Sequence, residues 1–237
     1  HVEGHCYSPV LAFNQQLRYP FICLTVAGGH TMLLLVKAFG VYELLGHCRD
    51  DSAGEAYDKI ARRLGLGYPG GPILDKLAAK GNPVAYDFPR PLMNSGDLDF
   101  SFSGLKSAVN RLVDQLESSG SAIPVEDIAA SFQSAVMDVL IHKTVQSIGI
   151  TGIRTVAIAG GVAANGELRR RLRQLAIDEA LQVFIPPVDL CIDNGAMIAG
   201  AGYFHLAAGK HSSSSLDYRA NAPLGELEVK YRHLSKY

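Results

Sequence analysis

Two stretches of this chain share one grammar, and together they limit the fold more than anything else in it. They are Thr25-Val26-Ala27-Gly28-Gly29-His30-Thr31 and Ala157-Ile158-Ala159-Gly160-Gly161-Val162-Ala163-Ala164-Asn165. In each, an apolar run ends at paired glycines, which reads as a buried strand followed by a sharp turn whose N–H groups are free to face a phosphate or a ribose. A single Gly-Gly pair is most often just a turn, but two of them, both closing strands, point to a nucleotide ligand. Neither stretch is a GxxxxGK[ST] loop or a GxGxxG opening a helix, so the P-loop and dinucleotide folds fit poorly.

The flanking patterns extend this reading. Residues 21–27 and 32–37 are β-branched-rich apolar runs on either side of the first glycine pair, and 41–46 supplies a third strand. Asp50-Asp51-Ser52 precedes a helical pattern over 54–66, which should stop at Gly65 or Gly67. Residues 72–117 read as mostly helical with a loop at 89–99, and Pro124-Val125-Glu126-Asp127 opens a helix to about 147. A strand at 155–159, a helix at 165–180, a strand at 182–185 and a small-residue-rich helix at 193–208 complete the order. From Lys210 a polar tail begins with Ser212 to Ser215, in which only Leu224 and Leu227 look able to dock. Antiparallel strands followed by strand-helix-strand-helix predict an α/β protein with a mixed sheet.

With 237 residues, 48% of them hydrophobic, the chain can bury a sizeable core in one large domain or in two lobes sharing a cleft. The longest apolar run, 21–36, is interrupted by Gly28-Gly29-His30, and no segment approaches the ~20 apolar residues of a membrane span. Neither a signal peptide nor a transit sequence opens the chain, which starts inside a motif and without Met, as a piece of a longer protein would. Cys6, Cys23, Cys48 and Cys191 share no CxxC spacing; most read as buried thiols, and a reducing, cytoplasmic compartment suits them. A net charge of −1 argues against gripping nucleic acid through the overall field, so any such contact should be local or shared with a partner.

Four places can carry chemistry. His1 and His5 of the opening HVEGH lie on one helical face and can share a divalent cation, although a solvated helix face explains many HxxxH pairs. Glu3 lies about 200° around the helix from His1, so it is misplaced for the general base of a zinc peptidase. Asp193 stands where a helix N-cap is expected, yet with the two imidazoles it would complete a catalytic-type metal set with open positions. Asp58, ahead of the Tyr68-Pro69-Gly70-Gly71 turn, can accept hydrogen bonds from a ribose diol. The run Arg169-Arg170-Arg171-Leu172-Arg173 reads as a solvated helix face, with RNA backbone contact as the alternative.

HVEGH, TVAGGHT, DDSAGEAYDK with YPGGP, DFSFSGLKSAV, AGGVAANGELR and CIDNGAMIAGAG, in this order from His1 to about Leu227, resemble the TsaD (Gcp, YgjD) family. The resemblance implies an actin/Hsp70/sugar-kinase (ASKHA) type two-lobed fold with mixed sheets. Residues 1–20 would end a first lobe whose N-terminal part is missing here. Residues 21–208 would form the second lobe, with a helical insertion around 52–123, and 209–237 a C-terminal tail. It implies transfer of threonylcarbamoyl from threonylcarbamoyl-adenylate to N6 of adenosine 37 in tRNAs reading ANN codons.

By the same resemblance, His1, His5 and Asp193 match metal ligands, for iron or zinc, with magnesium possible alongside nucleotide. Thr25, Val26, Ala27, Gly28 and Gly29 match the substrate loop, where Ala27 replaces a frequent Ser, and Asp58, Gly71 and Asn165 match further adenylate contacts. The implied partners are tRNA, the adenylate or ATP/AMP, and, in bacteria, a paralogous ASKHA dimer partner and a small ATPase; archaeal and eukaryotic members use a kinase-containing assembly. The resemblance implies a cytoplasmic protein, or a mitochondrial or plastid one if the chain comes from an organellar homologue. The alternatives weighed against this are a zinc metallopeptidase and a non-catalytic nucleotide-binding scaffold.

Overall fold

The structure is a computed structural model and describes residues 1–210. The helices are α1 (Val2–Phe13), α2 (Ala53–Arg63), α3 (Gly70–Ala78), α4 (Ser103–Ser118), α5 (Val125–Thr151), α6 (Gly166–Asp178) and α7 (Gly195–Ala207). The strands are β1 (Phe21–Val26), β2 (Thr31–Ala38), β3 (Val41–His47), β4 (Thr155–Ala159) and β5 (Gln182–Phe184). They form one sheet of order β3-β2-β1-β4-β5, antiparallel from β1 to β3 and parallel from β1 through β4 to β5. This is the mixed sheet expected from the residue pattern.

The unbroken apolar character of β1 follows from burial on both sides. Ile22, Leu24 and Val26 enter the larger core, which also holds Tyr57, Phe102, Phe132 and Leu168, whereas Phe21 and Cys23 enter a smaller core with Cys6, Val36, Tyr42, Ala157 and Ala159. A strand covered on both faces has no polar alternate positions, which is why its sequence shows no period of two. The larger core takes residues from α2 to α6 and the smaller one takes Cys6 of α1, while α7 packs on α1. Helix α5 is buried along most of its length and ends at Gly152, a left-handed C-cap (φ 71°), four residues later than expected. Cys6, Cys23 and Cys191 are buried, Cys48 is half-buried, and all four are free thiols.

One expectation is corrected. Residues 79–102 contain no helix: the loop expected at 89–99 is present, whereas the helical reading fails at 79–88 and 100–102 and holds only for α3 and α4. Pro83, Pro89 and Pro91, with Gly81 and Gly96, interrupt any helical run there. The segment is nevertheless a packed strap. Phe88, Leu98 and Phe100 are buried, Asn82 N donates to Asp127 Oδ1 (2.8 Å), and buried Lys143 Nζ donates to Asp97 O (2.6 Å). Beyond Lys210 the serine run and the two leucines fall outside the described residues.

The arginine run is also not a uniformly solvated face. Arg169 donates to Ala163 O (2.9 Å) and Pro186 O (2.8 Å), bracing the second glycine loop, and Arg171 joins Asp138 (2.5 Å) and Glu167 (2.7 Å). Arg170 and Arg173 remain exposed. Among the described residues no helix is long and apolar enough to cross a membrane.

Candidate functional site

Helix α1 starts at Val2, with His1 at its N-cap, so His1 and His5 stand one turn apart with ring centroids 4.8 Å apart. Both Nε2 atoms approach the same oxygen, Asp193 Oδ1, at 3.0 Å from His1 and 2.9 Å from His5. Asp193 is free to do this because the capping of α7 falls to Asn194, whose Oδ1 accepts from Met197 N (2.9 Å). The expected competing role of Asp193 as N-cap is therefore taken by its neighbour. Three donor atoms, one each from His1, His5 and Asp193, lie within 4.8 Å of one another.

The donor chemistry suits a cation. His5 is 1% exposed, and both its ring nitrogens are buried without a hydrogen-bond partner; the 2.9 Å approach to Asp193 lacks hydrogen-bond geometry. Proximity without alignment is what a shared ion between the two atoms would explain, so the orphaned nitrogen carries more weight here than the ion-pair distance. Burial holds the His5 imidazole below its ordinary value against the opposing pull of Asp193, which leaves the ring neutral with a lone pair to offer. His30, at the end of the first glycine loop, brings its ring to 6.1 Å from that of His1.

Glu3 points away from this cluster, as its helical position requires. Its Oε1 accepts from Tyr42 Oη (2.8 Å) and its Oε2 lies 2.7 Å from His205 Nε2.

Beside the cluster lies a cavity of about 410 Å³, whose walls include Gly28, Asp58, Gly71, Asp75, Asn165 and Ile192. Ile192 directly precedes Asp193, so the cluster and the cavity share the turn that leads into α7. The two glycine loops meet at its rim: a Cβ on Gly160 (φ +89°) would lie 2.4 Å from Val26 O, and one on Gly54 would lie 2.6 Å from Ala27 O. By contrast, Cβ positions on Gly28, Gly29 and Gly71 would meet nothing within 4 Å. The first group of glycines is required by packing, whereas a methyl group on the second would project into open space.

The expected substrate residues therefore separate. Gly28, Asp58, Gly71 and Asn165 line the cavity, and Gly29 is exposed next to it. Thr25, Val26 and Ala27 are buried beneath the loop, with Thr25 Oγ1 between Cys6 Sγ (3.8 Å) and Cys23 Sγ (3.6 Å), so they shape the turn rather than face the space. Asp58 spends Oδ1 on Gly70 N (2.8 Å), which ties the Pro-Gly-Gly turn to α2. Asn165 caps α6 through Leu168 N (2.9 Å) and donates to Gln133 Oε1 (2.8 Å).

Three polar residues of this site are missing from the sequence reading. Tyr57 Oη donates to Gln133 Oε1 (3.0 Å), Gln133 Nε2 donates to Asp75 Oδ1 (3.1 Å), and Asp75 Oδ2 accepts from Gly166 N (2.8 Å). The one signal available was Gln133, a lone amide on the otherwise apolar face of α5.

A family model described as TsaD: tRNA N6-adenosine threonylcarbamoyltransferase matches residues 1–200. A protein of that name from Desulfitobacterium hafniense is 50% identical over 204 residues, 86% of this chain and 60% of the relative. Another, from Syntrophotalea carbinolica, is 45% identical over 226 residues, 95% of this chain and 66% of the relative. The chain thus spans less than two thirds of the length of these relatives.

Among solved structures, full-length HypF in its phosphate- and nucleotide-bound form superposes with a TM-score of 0.67 at 15% identity, over 90% of this chain and 43% of that one. T. kodakarensis HypF gives 0.59 at 17% identity, over 84% and 36%. At these identities the likeness concerns the fold, which is of the ASKHA type. With 200 of its residues matched by one family model and half of its aligned positions identical to a curated member, the chain belongs to the TsaD family of tRNA N6-adenosine threonylcarbamoyltransferases.

Proposed function

We propose that this chain carries the transfer centre of a threonylcarbamoyltransferase, moving the threonylcarbamoyl group from threonylcarbamoyl-adenylate to N6 of adenosine 37 in tRNAs that read ANN codons. One observation supports this above the others: a His-His-Asp donor set, with an orphaned buried imidazole nitrogen, opens beside a glycine-rimmed cavity of about 410 Å³. That volume is in the range of small-ligand sites, ~300–1,000 Å³. His1, His5 and Asp193 would hold a divalent ion, iron or zinc in our reading or magnesium with nucleotide, and when bound it would supply Lewis-acid stabilisation of developing negative charge.

The chain's own groups do the rest. The open backbone of Gly28 and Gly29 leaves N–H groups for the adenylate phosphate, the carboxylate of Asp58 faces the ribose, and Gly71 and Asn165 wall the nucleotide. The N6 amine of the tRNA base attacks the carbamoyl carbon, the bond from that carbon to the phosphate oxygen breaks, AMP leaves with the electron pair, and the proton lost from N6 passes to water. The anhydride has a good leaving group, so holding the two reactants in line takes the place of a strong general base.

The remaining readings follow from the same membership. Residues 1–20 end a first lobe, 21–208 form the second lobe with its insertion at 52–123, and the rest is a tail. The chain works in the cytoplasm with tRNA, the adenylate or ATP/AMP and, in a bacterium, a paralogous ASKHA partner and a small ATPase. The zinc-peptidase alternative is disfavoured by Glu3, whose two oxygens are engaged by Tyr42 and His205 rather than turned to the cluster.

The test is transfer of labelled threonylcarbamoyl from supplied adenylate to unmodified tRNA by the full-length protein with its partners. His5→Ala or Asp193→Ala should lower the rate at least a hundredfold, on the order of 3 kcal/mol of transition-state stabilisation. Unchanged rates would remove the ion from the chemistry, and nucleotide binding without any transfer in the wild type would leave only the scaffold reading.

A further inference from the structure

The acidic residue between the two histidines of HVEGH has no part in that mechanism, and its surroundings give it one. Glu3 projects from the first turn of α1 on the side away from His1 and His5. Tyr42 of β3 donates to its Oε1 (2.8 Å), and His205, in the last turn of α7, meets its Oε2 (2.7 Å). The His205 ring is itself packed edge-on against Phe39 (5.0 Å). The opposite end of α7 is preceded by Asp193, which meets His1 and His5. Helix α7 therefore engages the first turn of α1 on both flanks, through Asp193 on one and His205 on the other.

Between these two contacts the helices cross at short range. A Cβ on Gly200 would lie 2.6 Å from Tyr7 Cε1, and one on Gly4 would lie 3.2 Å from Met197 and Ile198 side-chain atoms. Tyr7, seated over Gly200 and against Phe204 (5.0 Å), and Ser8, whose Oγ donates to Leu190 O (2.5 Å), hold the middle of α1, while its first turn, which carries the histidines, meets α7 at Gly4 across Met197 and Ile198. A rotation of ~20° would move a ring nitrogen ~6 Å or more from the helix axis by ~2 Å, enough to break a three-ligand set whose distances are held to within ~0.2 Å. The Glu3 carboxylate, caught between a strand and a helix end, is the polar contact that holds the first turn itself against such a rotation, on the side away from the histidines.

We propose that Glu3 is a positioning residue of the metal centre: through Tyr42 and His205 it fixes the rotation of α1, and so the spacing of His1 and His5 to Asp193. This rests on the metal reading given above, and the experiment separates the two. Zn²⁺ affinity would be measured by competition with a chromophoric chelator, and the ligand field read from Co²⁺ absorption, for the wild type, Glu3→Ala, Tyr42→Phe, His205→Leu and His205→Gln, with folding checked by circular dichroism.

Outer-shell supports of metal ligands typically change affinity ~10–100-fold, so Glu3→Ala should bind Zn²⁺ at least tenfold more weakly and shift the Co²⁺ bands. Tyr42→Phe and His205→Leu should each give part of that loss. His205→Gln, which keeps an N–H donor, should restore affinity to within about twofold of wild type, a rescue that a purely structural role would not require. A wild type that binds no cation overturns the metal reading and this proposal with it. A wild type that binds tightly, alongside folded Glu3→Ala and Tyr42→Phe variants of equal affinity and unchanged spectrum, overturns the proposal alone. Should Glu3→Ala fail to fold, Tyr42→Phe and the two His205 variants decide the matter.

Discussion

Glycine does two different jobs around the cavity, and substitution should separate them. Gly160 adopts φ +89° with its would-be Cβ 2.4 Å from Val26 O, so Gly160→Ala combines backbone strain with a clash against a strand carbonyl. It should cost about 3 kcal/mol in urea unfolding, since a strained φ alone is worth ~1–3 kcal/mol and the overlap adds to it. Gly28→Ala meets nothing within 4 Å and has no positive φ, so its stability should stay within about 0.5 kcal/mol of wild type. Because Gly28 faces the cavity, the same methyl group should weaken AMP binding about tenfold in a calorimetric titration, roughly 1.4 kcal/mol. At this scale the sequence was partly legible. Helical spacing alone put His1 and His5 on one face and Glu3 on the other, but no local signal distinguishes Asp193 from its neighbour Asn194 as the cap. That choice depends on two histidines 192 and 188 residues away in sequence, so the residues offered Asp193 both as a cap and as a third ligand, and the resemblance favoured the ligand.

Individual elements are tied together by a carboxylate–arginine chain that local periodicity does not reveal. Glu167 on α6 binds Arg170 and Arg171, Arg171 continues to Asp138 on α5, and Asp138 reaches Arg90 in the 79–102 strap. Hydrogen bonding to Arg170, opposed by burial and supported by Arg171, holds the Glu167 carboxyl below its ordinary value of 4.5. A carboxylate with a depressed folded-state value binds protons less readily folded than unfolded, so its stabilisation is complete above pH 4.5 and disappears as pH falls below it. Acid unfolding followed by circular dichroism should accordingly show a shallower loss as pH falls below 4.5 in Glu167→Gln than in the wild type. The strap itself also depends on Lys143, fully buried and donating to Ser95 Oγ (3.1 Å) and Asp97 O (2.6 Å). Lys143→Met leaves those acceptors unserved and should cost about 2 kcal/mol in urea unfolding. Within the strap the loop expected at 89–99 is present, and the helical expectation fails at 79–88 and 100–102, where Phe88 and Phe100 are buried by an irregular chain that Gly81, Pro83 and Pro89 keep from the helix. The elements with strong periodicity or clear caps, α2, α5 and α6, lie within a few residues of their expected limits.

At the scale of the molecule, the predicted α/β class and the antiparallel first strands were readable, but the joining of β1 to β4 was not. β1 runs parallel to β4, with Ile22 opposite Val156, and that adjacency is set by two cores filling both faces of the sheet rather than by any property of either strand. The same topology brings the start of the described chain against the turn before its last helix, so that His1 and His5 meet Asp193 across 192 and 188 residues. An ion bound there links two distant parts of the chain that the unfolded state cannot hold together, and it should stabilise the folded state by mass action. At a free Zn²⁺ concentration a hundredfold above Kd, the gain is about 2.7 kcal/mol, which for a domain of this size raises Tm by ~5–10 °C. Asp193 supplies the control, because its side chain is 72% exposed and caps nothing. In chelator-treated protein Asp193→Ala should unfold within about 0.5 kcal/mol of the wild type, as exposed substitutions do. With Zn²⁺ present the wild type alone should gain. A thermal scan in which both proteins gain equally would place the stabilising ion elsewhere, and one in which Asp193→Ala is already unstable without zinc would make the aspartate a support of the fold rather than a ligand.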